Sequence, residues 1–374
     1  MTPVMHWKKH LCWLAPLLLL DGLGLLFYLR WIETRPAAPA PESEALELEQ
    51  APPGAVVPQL RKMVFPTGQT GLLDSAAANV FQPTASGRPE SALYGSTRTG
   101  RRGKFLRATF HEGIDVAAGR RDRRGRPLDE IYAVADGQAA YINRIGGNSN
   151  YGKYVVLKHA DPLGEIYSLY AHLASVAAGL RAGQAVSAGE PLGVMGNTST
   201  SPIPMAQAHL HLEIGLILNN RFRAWYRRQN LKPDHGNFHG WNLLGLDPLG
   251  VFAAQRQTPD FSLLAHLTAV APAFEAVLAT EMLPDFFRRY PQLWRGAPFA
   301  PPAIVVVCSE NGVPLSGRNA GAGEQAALGG CPWLVQNVKP AALGRNGTRL
   351  IRENNGGWQL AGNGEKWRDM LLYR

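Results

Sequence analysis

Cysteine is scarce in this chain of 374 residues, with three in all. Cys12 lies in an apolar N-terminal run, which leaves Cys308 and Cys331 as the thiols of the body. No Cys-x-x-Cys occurs, which argues against a metal held mainly by thiolates. In an oxidising compartment a Cys308–Cys331 disulfide would be permitted, worth roughly 2–4 kcal/mol. Charge is sparse as well: 18% of residues are charged against 45% hydrophobic, so the chain is not wholly disordered. Zinc-finger spacing is missing, and no aromatic platform sits beside the arginines, so no nucleic-acid partner is expected.

Glycine (40) and proline (28) are plentiful, which favours short strands and many turns over long helical bundles. The net charge of +9 concentrates in two stretches. Arg98, Arg101, Arg102, Lys104 and Arg107 form one, and Arg120, Arg121, Arg123, Arg124 and Arg126 the other. They read as a solvated rim of loops, or as an approach surface for a polyanionic polymer.

The run Leu11–Leu29, LCWLAPLLLLDGLGLLFYL, is 19 residues long. As a helix it would span about 28 Å, enough for a bilayer core. Lys8, Lys9 and Arg30 flank it, and Trp13, Tyr28 and Trp31 suit the interfaces. Asp21 in its middle is costly. A retained N-terminal transmembrane anchor over residues 1–35 is expected. A cleaved signal peptide is the rival, although FYLRWIETR offers no small-x-small site. Residues 36–75 read as a Pro/Ala/Glu-rich linker.

Residues 76–250 read as a mostly β domain built on antiparallel sheet. Ile131–Ala135, Gln138–Ile142, Tyr154–His159, Ile166–His172 and His209–Ile214 have strand character, with glycine-rich turns between them. Residues 251–374 read as an additional α+β region. The segments 261–271 and 273–283 carry helical spacing there, and PPAIVVVC reads as a buried strand.

Two short motifs bear chemistry. In Phe110-His111-Glu112-Gly113-Ile114-Asp115 a histidine and a carboxylate stand four apart. In Ala208-His209-Leu210-His211-Leu212-Glu213 two histidines at i and i+2 share one face of a strand. Two imidazoles on one face of an otherwise apolar strand need something to bind them. A metal would do so, and so would backbone carbonyls.

The two motifs together resemble those of the LytM/lysostaphin-like zinc peptidases of the M23 class. Tyr170-Ala171-His172-Leu173 is similar to a third element of that family, and YAVADGQAAYI, GNSNYGKYVVLKH and LRAGQAVSAGEPLGVMGNT resemble its glycine-rich strands. The resemblance covers roughly residues 76–250 and implies a duplicated hybrid motif-like fold. It implies His111, Asp115 and His211 as ligands of one Zn2+ per chain, with His172 and His209 as catalytic residues, leaving open which is the general base. The implied activity is endopeptidase hydrolysis of peptidoglycan peptide crosslinks. With it goes a single-pass protein of the bacterial inner membrane, attached to the cell membrane through its N-terminal helix, its catalytic domain facing the periplasm or cell wall.

Two features depart from the family pattern. The chain reads NTSTSPIPMAQAHLHLE where a compact glycine turn usually precedes His-x-His, and the insertion GRRDRRGRPLDE follows the first motif. A non-catalytic cell-wall-binding regulator of another hydrolase is therefore the alternative. A scaffold role, with the C-terminal region recruiting a divisome or envelope protein partner, is compatible with either. His235 and His239 read as groove-lining or as ordinary packing residues.

Overall fold

Strand Lys153–Asp161 shows how the sequence makes its central sheet. Tyr154 and Val156 turn to one face and Val155 and Leu157 to the other, and all four are fully buried. A strand covered on both faces reads as a nearly continuous run of β-branched and aromatic residues. A computed structural model describes residues 58–74, 78–83, 87–102, 105–343 and 350–374, with the backbone alone for 78, 98–102 and 105–109.

The sheet has seven strands. In spatial order they are Leu243–Leu246, His209–Ile217, Gly164–Leu173, Lys153–Asp161, Gly137–Asn143 and Ala185–Val186. The seventh, Ile114–Ala117, pairs with the first half of His209–Ile217. Each of these pairings is antiparallel. The sheet-rich domain expected from the sequence is therefore present. A three-stranded sheet of Glu130–Tyr132, Pro191–Val194 and Ser175–Val176 lies beside it.

The C-terminal region is α+β, as expected. Its four-stranded sheet runs Pro314–Asn319, Ala303–Cys308, Phe274–Ala279, Trp333–Gln336. The helix over 261–271 is present as Leu263–Ala269. The one expected over 273–283 is not: Phe274–Ala279 is a central strand. Its partner Ala303–Cys308 is AIVVVC, a sequence made for sheet, and the pairing overrides the local helical spacing.

That sheet separates the two cysteines. Cys308 pairs with Phe274 and Trp333 with Leu278, near opposite ends of the same strand. Four residues of strand span about 13 Å, too far for a disulfide to bridge. Both thiols are free, Cys308 buried and Cys331 exposed.

One apolar core runs through both regions, from Leu60 to Leu371. Buried Tyr290 crosses the boundary: its hydroxyl donates to the Glu165 carbonyl (2.8 Å) and accepts from the Ile217 N–H (2.9 Å). Arg289 and Glu165 form an ion pair beside it at 2.6 Å.

Among the described residues no helix is long and apolar enough to cross a membrane. The longest of them, Gly362–Leu372, has 11 residues and reaches about 16 Å, half a bilayer core. This corrects the expected transmembrane helix, and with it the membrane attachment and the single-pass inner-membrane localisation. Residues 11–29, on which that expectation rested, lie outside the described residues.

Candidate metal centre

Strand register brings the two motifs together. Asp115 is the cross-strand partner of His211, and Ala117 that of His209. Gly113 permits the approach, because a Cβ there would stand 2.3 Å from the Leu212 carbonyl oxygen. On the opposite edge His211 pairs with Ala171, which delivers His172 to the same place. His172, next to last in its strand, adopts the left-handed region (φ 62°), uncommon for a residue with a side chain and frequent at functional sites.

Three atoms then converge. His111 Nε2 lies 3.1 Å from His211 Nδ1 and 3.2 Å from Asp115 Oδ1, and His211 Nδ1 lies 3.0 Å from Asp115 Oδ1. All three residues are buried, Asp115 completely.

Hydrogen bonds set the tautomers. His111 Nδ1–H donates to the Leu93 carbonyl at 2.9 Å, which turns the lone pair of its Nε2 inward. His211 Nε2–H donates to Glu213 Oε1 at 2.9 Å, which turns the lone pair of its Nδ1 inward. Two nitrogen lone pairs and a carboxylate oxygen thus face one another in a buried space, an arrangement that calls for a cation. At a zinc–ligand bond of about 2.0 Å, neighbouring atoms of a tetrahedron stand about 3.3 Å apart, close to the separations here. His111, Asp115 and His211 suit one Zn2+, and they are the one cluster of this kind among the described residues.

The other two histidines are anchored the same way. His209 Nδ1–H donates to the Gln207 carbonyl (2.7 Å), and its Nε2 lies 3.6 Å from Asp115 Oδ1. His172 Nδ1–H donates to the Thr198 carbonyl (2.9 Å), with its ring centroid 4.8 Å from that of His209. Thr198 can sit there because residue 152 is glycine: a Cβ at Gly152 would overlap the Thr198 carbonyl oxygen. All five residues singled out in the sequence therefore meet.

Burial alone would raise the Asp115 carboxyl, but the facing imidazoles of His111 and His209, with His211 beside them, hold it well below the carboxylate range. Burial, then the neighbouring His209 and His211, hold His172 well below the usual imidazole range, so it stays neutral near pH 7.

Glu213, two residues past His211, is buried and central to the site: besides His211, the hydroxyls of Tyr151 (2.7 Å) and Tyr167 (2.8 Å) donate to its carboxylate. It is the partner that orients a metal-ligating histidine. The i+2 alternation of His209-Leu210-His211-Leu212-Glu213 pointed to it, whereas nothing near the motif pointed to either tyrosine.

His235 and His239 pack. Tyr141 hydroxyl donates to His235 Nδ1 (2.9 Å), and His235 Nε2–H donates to the Asn148 carbonyl (3.0 Å). His239 lies among Phe222, Tyr226 and Trp241.

Comparison with known proteins agrees with this geometry. The sequence pattern of Peptidase family M23 matches residues 109–222, which include every histidine of the site and Asp115. A DD-carboxypeptidase/endopeptidase Mpg of Neisseria meningitidis serogroup B is 33% identical over 161 residues, 43% of this chain and 30% of that protein. The murein hydrolase activator NlpD of Salmonella dublin is 30% identical over 151 residues, 39% of this chain and 35% of that protein. This chain thus spans about a third of the length of these two relatives. A lipoprotein NlpD of Yersinia enterocolitica is 35% identical over 92 residues, 24% of this chain but 78% of that protein. On the matched motif and these relatives, the chain belongs to peptidase family M23.

Proposed function

We propose that this protein is a zinc-dependent endopeptidase that hydrolyses peptide crosslinks of bacterial peptidoglycan. One observation carries the reading: two imidazole lone pairs and the Asp115 carboxylate meet within 3.2 Å, beside two further anchored histidines. Three protein ligands are the number that a catalytic zinc site uses, since the fourth position is kept for water or substrate. When bound, zinc supplies Lewis-acid chemistry, polarising a carbonyl and acidifying water.

The protein's residues supply the rest. His111, Asp115 and His211 hold the metal, and Glu213 keeps His211 Nδ1 turned to it. His172 and His209 are the catalytic pair. Each has its N–H fixed on a carbonyl, so each presents Nε2 to the reacting centre, to take a proton from water or, once protonated, to donate to the oxyanion. Residues 76–250 are the catalytic domain of this proposal.

The second reading, a non-catalytic regulator of another hydrolase, is favoured by the relative named a murein hydrolase activator. The full set of five residues weighs against it. Incubating the purified chain with crosslinked muropeptides, with and without chelator, separates the two. Loss of crosslinked dimer that stops with chelator and returns with zinc supports the enzyme. Binding to intact wall without cleavage at any zinc level sinks it.

A further inference from the structure

The two stretches that depart from the family pattern meet in the fold. Arg121, in the arginine-rich insertion, reaches across to the segment before His209. Its Nη1 donates to the carbonyls of Met205 (2.8 Å) and Gly125 (2.9 Å), and its Nη2 to those of Ala206 and Ala208, both at 3.2 Å. Three of these four acceptors lie in the last four residues before His209. The carbonyl between them, that of Gln207, accepts the Nδ1–H of His209. A planar guanidinium with five fixed donors can hold several carbonyls at once, which an ammonium cannot match.

Arg121 itself stands on a braced hairpin. Asp129 accepts from the N–H groups of Gly119 (3.1 Å) and Arg120 (3.0 Å). Asp122 accepts from the N–H groups of Arg124 (2.8 Å) and Arg126 (2.9 Å) and from Arg126 Nε (2.7 Å). The far end of the segment is tied as well: Thr200 N–H donates to the Ser149 carbonyl (3.0 Å) and Ser199 hydroxyl to the Asn150 carbonyl (2.9 Å). Between these ties residues 204–207 are exposed, with no buried side chain to fix them.

We infer that Arg121 is a positioning residue for His209. It holds the backbone of 205–208 so that the Gln207 carbonyl stays on His209 Nδ1–H and His209 Nε2 stays turned to the metal cluster. The inserted hairpin and the long segment then form one wall of the site, joined to each other through the Arg121 side chain. This rests on the hydrolytic role proposed for His209.

The test compares Arg121→Met and Arg121→Lys with the wild type in the full zinc-loaded chain. Zinc content should stay at one per chain in both, because Arg121 touches none of the three ligands. Amide hydrogen exchange over 205–209 should quicken in Arg121→Met. With a crosslinked muropeptide, its kcat should fall about tenfold to a hundredfold, while KM stays within about twofold, the pattern of misplaced chemistry, not lost binding. Arg121→Lys should recover part of both. Arg121→Met with wild-type exchange and kcat would overturn the inference. So would a Met variant that unfolds while the Lys variant matches the wild type throughout, since Arg121 would then serve stability alone. A zinc-loaded wild type that cleaves nothing would remove the hydrolytic reading, and the exchange difference would still judge the clamp.

Discussion

Glu213 Oε1 accepts the Nε2–H of His211 at 2.9 Å, and the same carboxylate takes hydroxyl hydrogen bonds from Tyr151 and Tyr167. A buried carboxylate held by two phenols cannot swing away, so the His211 ring is fixed with Nδ1 toward Asp115 and His111. Replacing Glu213 by Gln removes the charge and loosens that hold. Zinc affinity should fall about tenfold to a hundredfold. Competition against a chromophoric chelator measures it, and unchanged affinity would mean that Glu213 is only a packing residue.

In the proposed mechanism the four histidines and Asp115 divide into metal ligands and proton carriers, and two substitutions test the division. His211→Ala removes one corner of the 3.0–3.2 Å triangle, so bound zinc and turnover should vanish together. His172→Ala leaves the triangle whole, so zinc should remain while most turnover is lost. Metal analysis beside muropeptide cleavage reads both. An active, zinc-free His211→Ala protein would end the proposed mechanism.

The site was more legible in the sequence than its support, for a physical reason. His209 and His211 share a face by the period of a strand, and a motif of six residues carries His111 and Asp115. Glu213 sits on the same alternation, but alternation tells the face of a residue and not what waits there. Tyr151 and Tyr167 reach it from other parts of the chain, through contacts that depend on how strands are registered. Arg121 is a harder case. In a run of arginines it reads as one more solvated charge, because three of its four acceptors are backbone carbonyls more than 80 residues away, and carbonyls have no sequence signature. The misread segment 273–283 failed for a related reason: AFEAVLATEML fits a helix locally, and a Val-rich partner strand elsewhere decides the matter.

A pH effect on stability should come from His159, which is fully buried. One nitrogen bonds to the Asp136 carbonyl and the other to Ser168 Oγ, each at 2.7 Å, and burial lowers its pKa to about 4. The unfolded chain, with an ordinary imidazole near 6.5, binds a proton before the folded chain does. The folded state therefore keeps this stability above pH 6.5 and loses it as pH falls from 6.5 toward 4, by roughly 3 kcal/mol at most. Urea unfolding of wild type and His159→Gln at several pH values should show their difference shrinking over that window alone. A difference constant from pH 7 to 4 would remove His159 as the cause.

Tyr290 offers a test of whether the C-terminal region stabilises the catalytic sheet. Its hydroxyl joins the Ile217 N–H on one strand to the Glu165 carbonyl on the next, in a place closed to water. Ile217 ends the strand that begins with His209, so the contact braces the far end of the element carrying the metal motif. Tyr290→Phe keeps the ring and its packing but leaves a buried donor and a buried acceptor without this partner. The cost should be about 1–3 kcal/mol. The three zinc ligands touch neither group, so metal content should be unchanged. Denaturant unfolding of the zinc-loaded protein measures the loss. A Phe variant as stable as the wild type would show that the two regions are held by apolar packing alone, and that the hydroxyl merely fits where it lies.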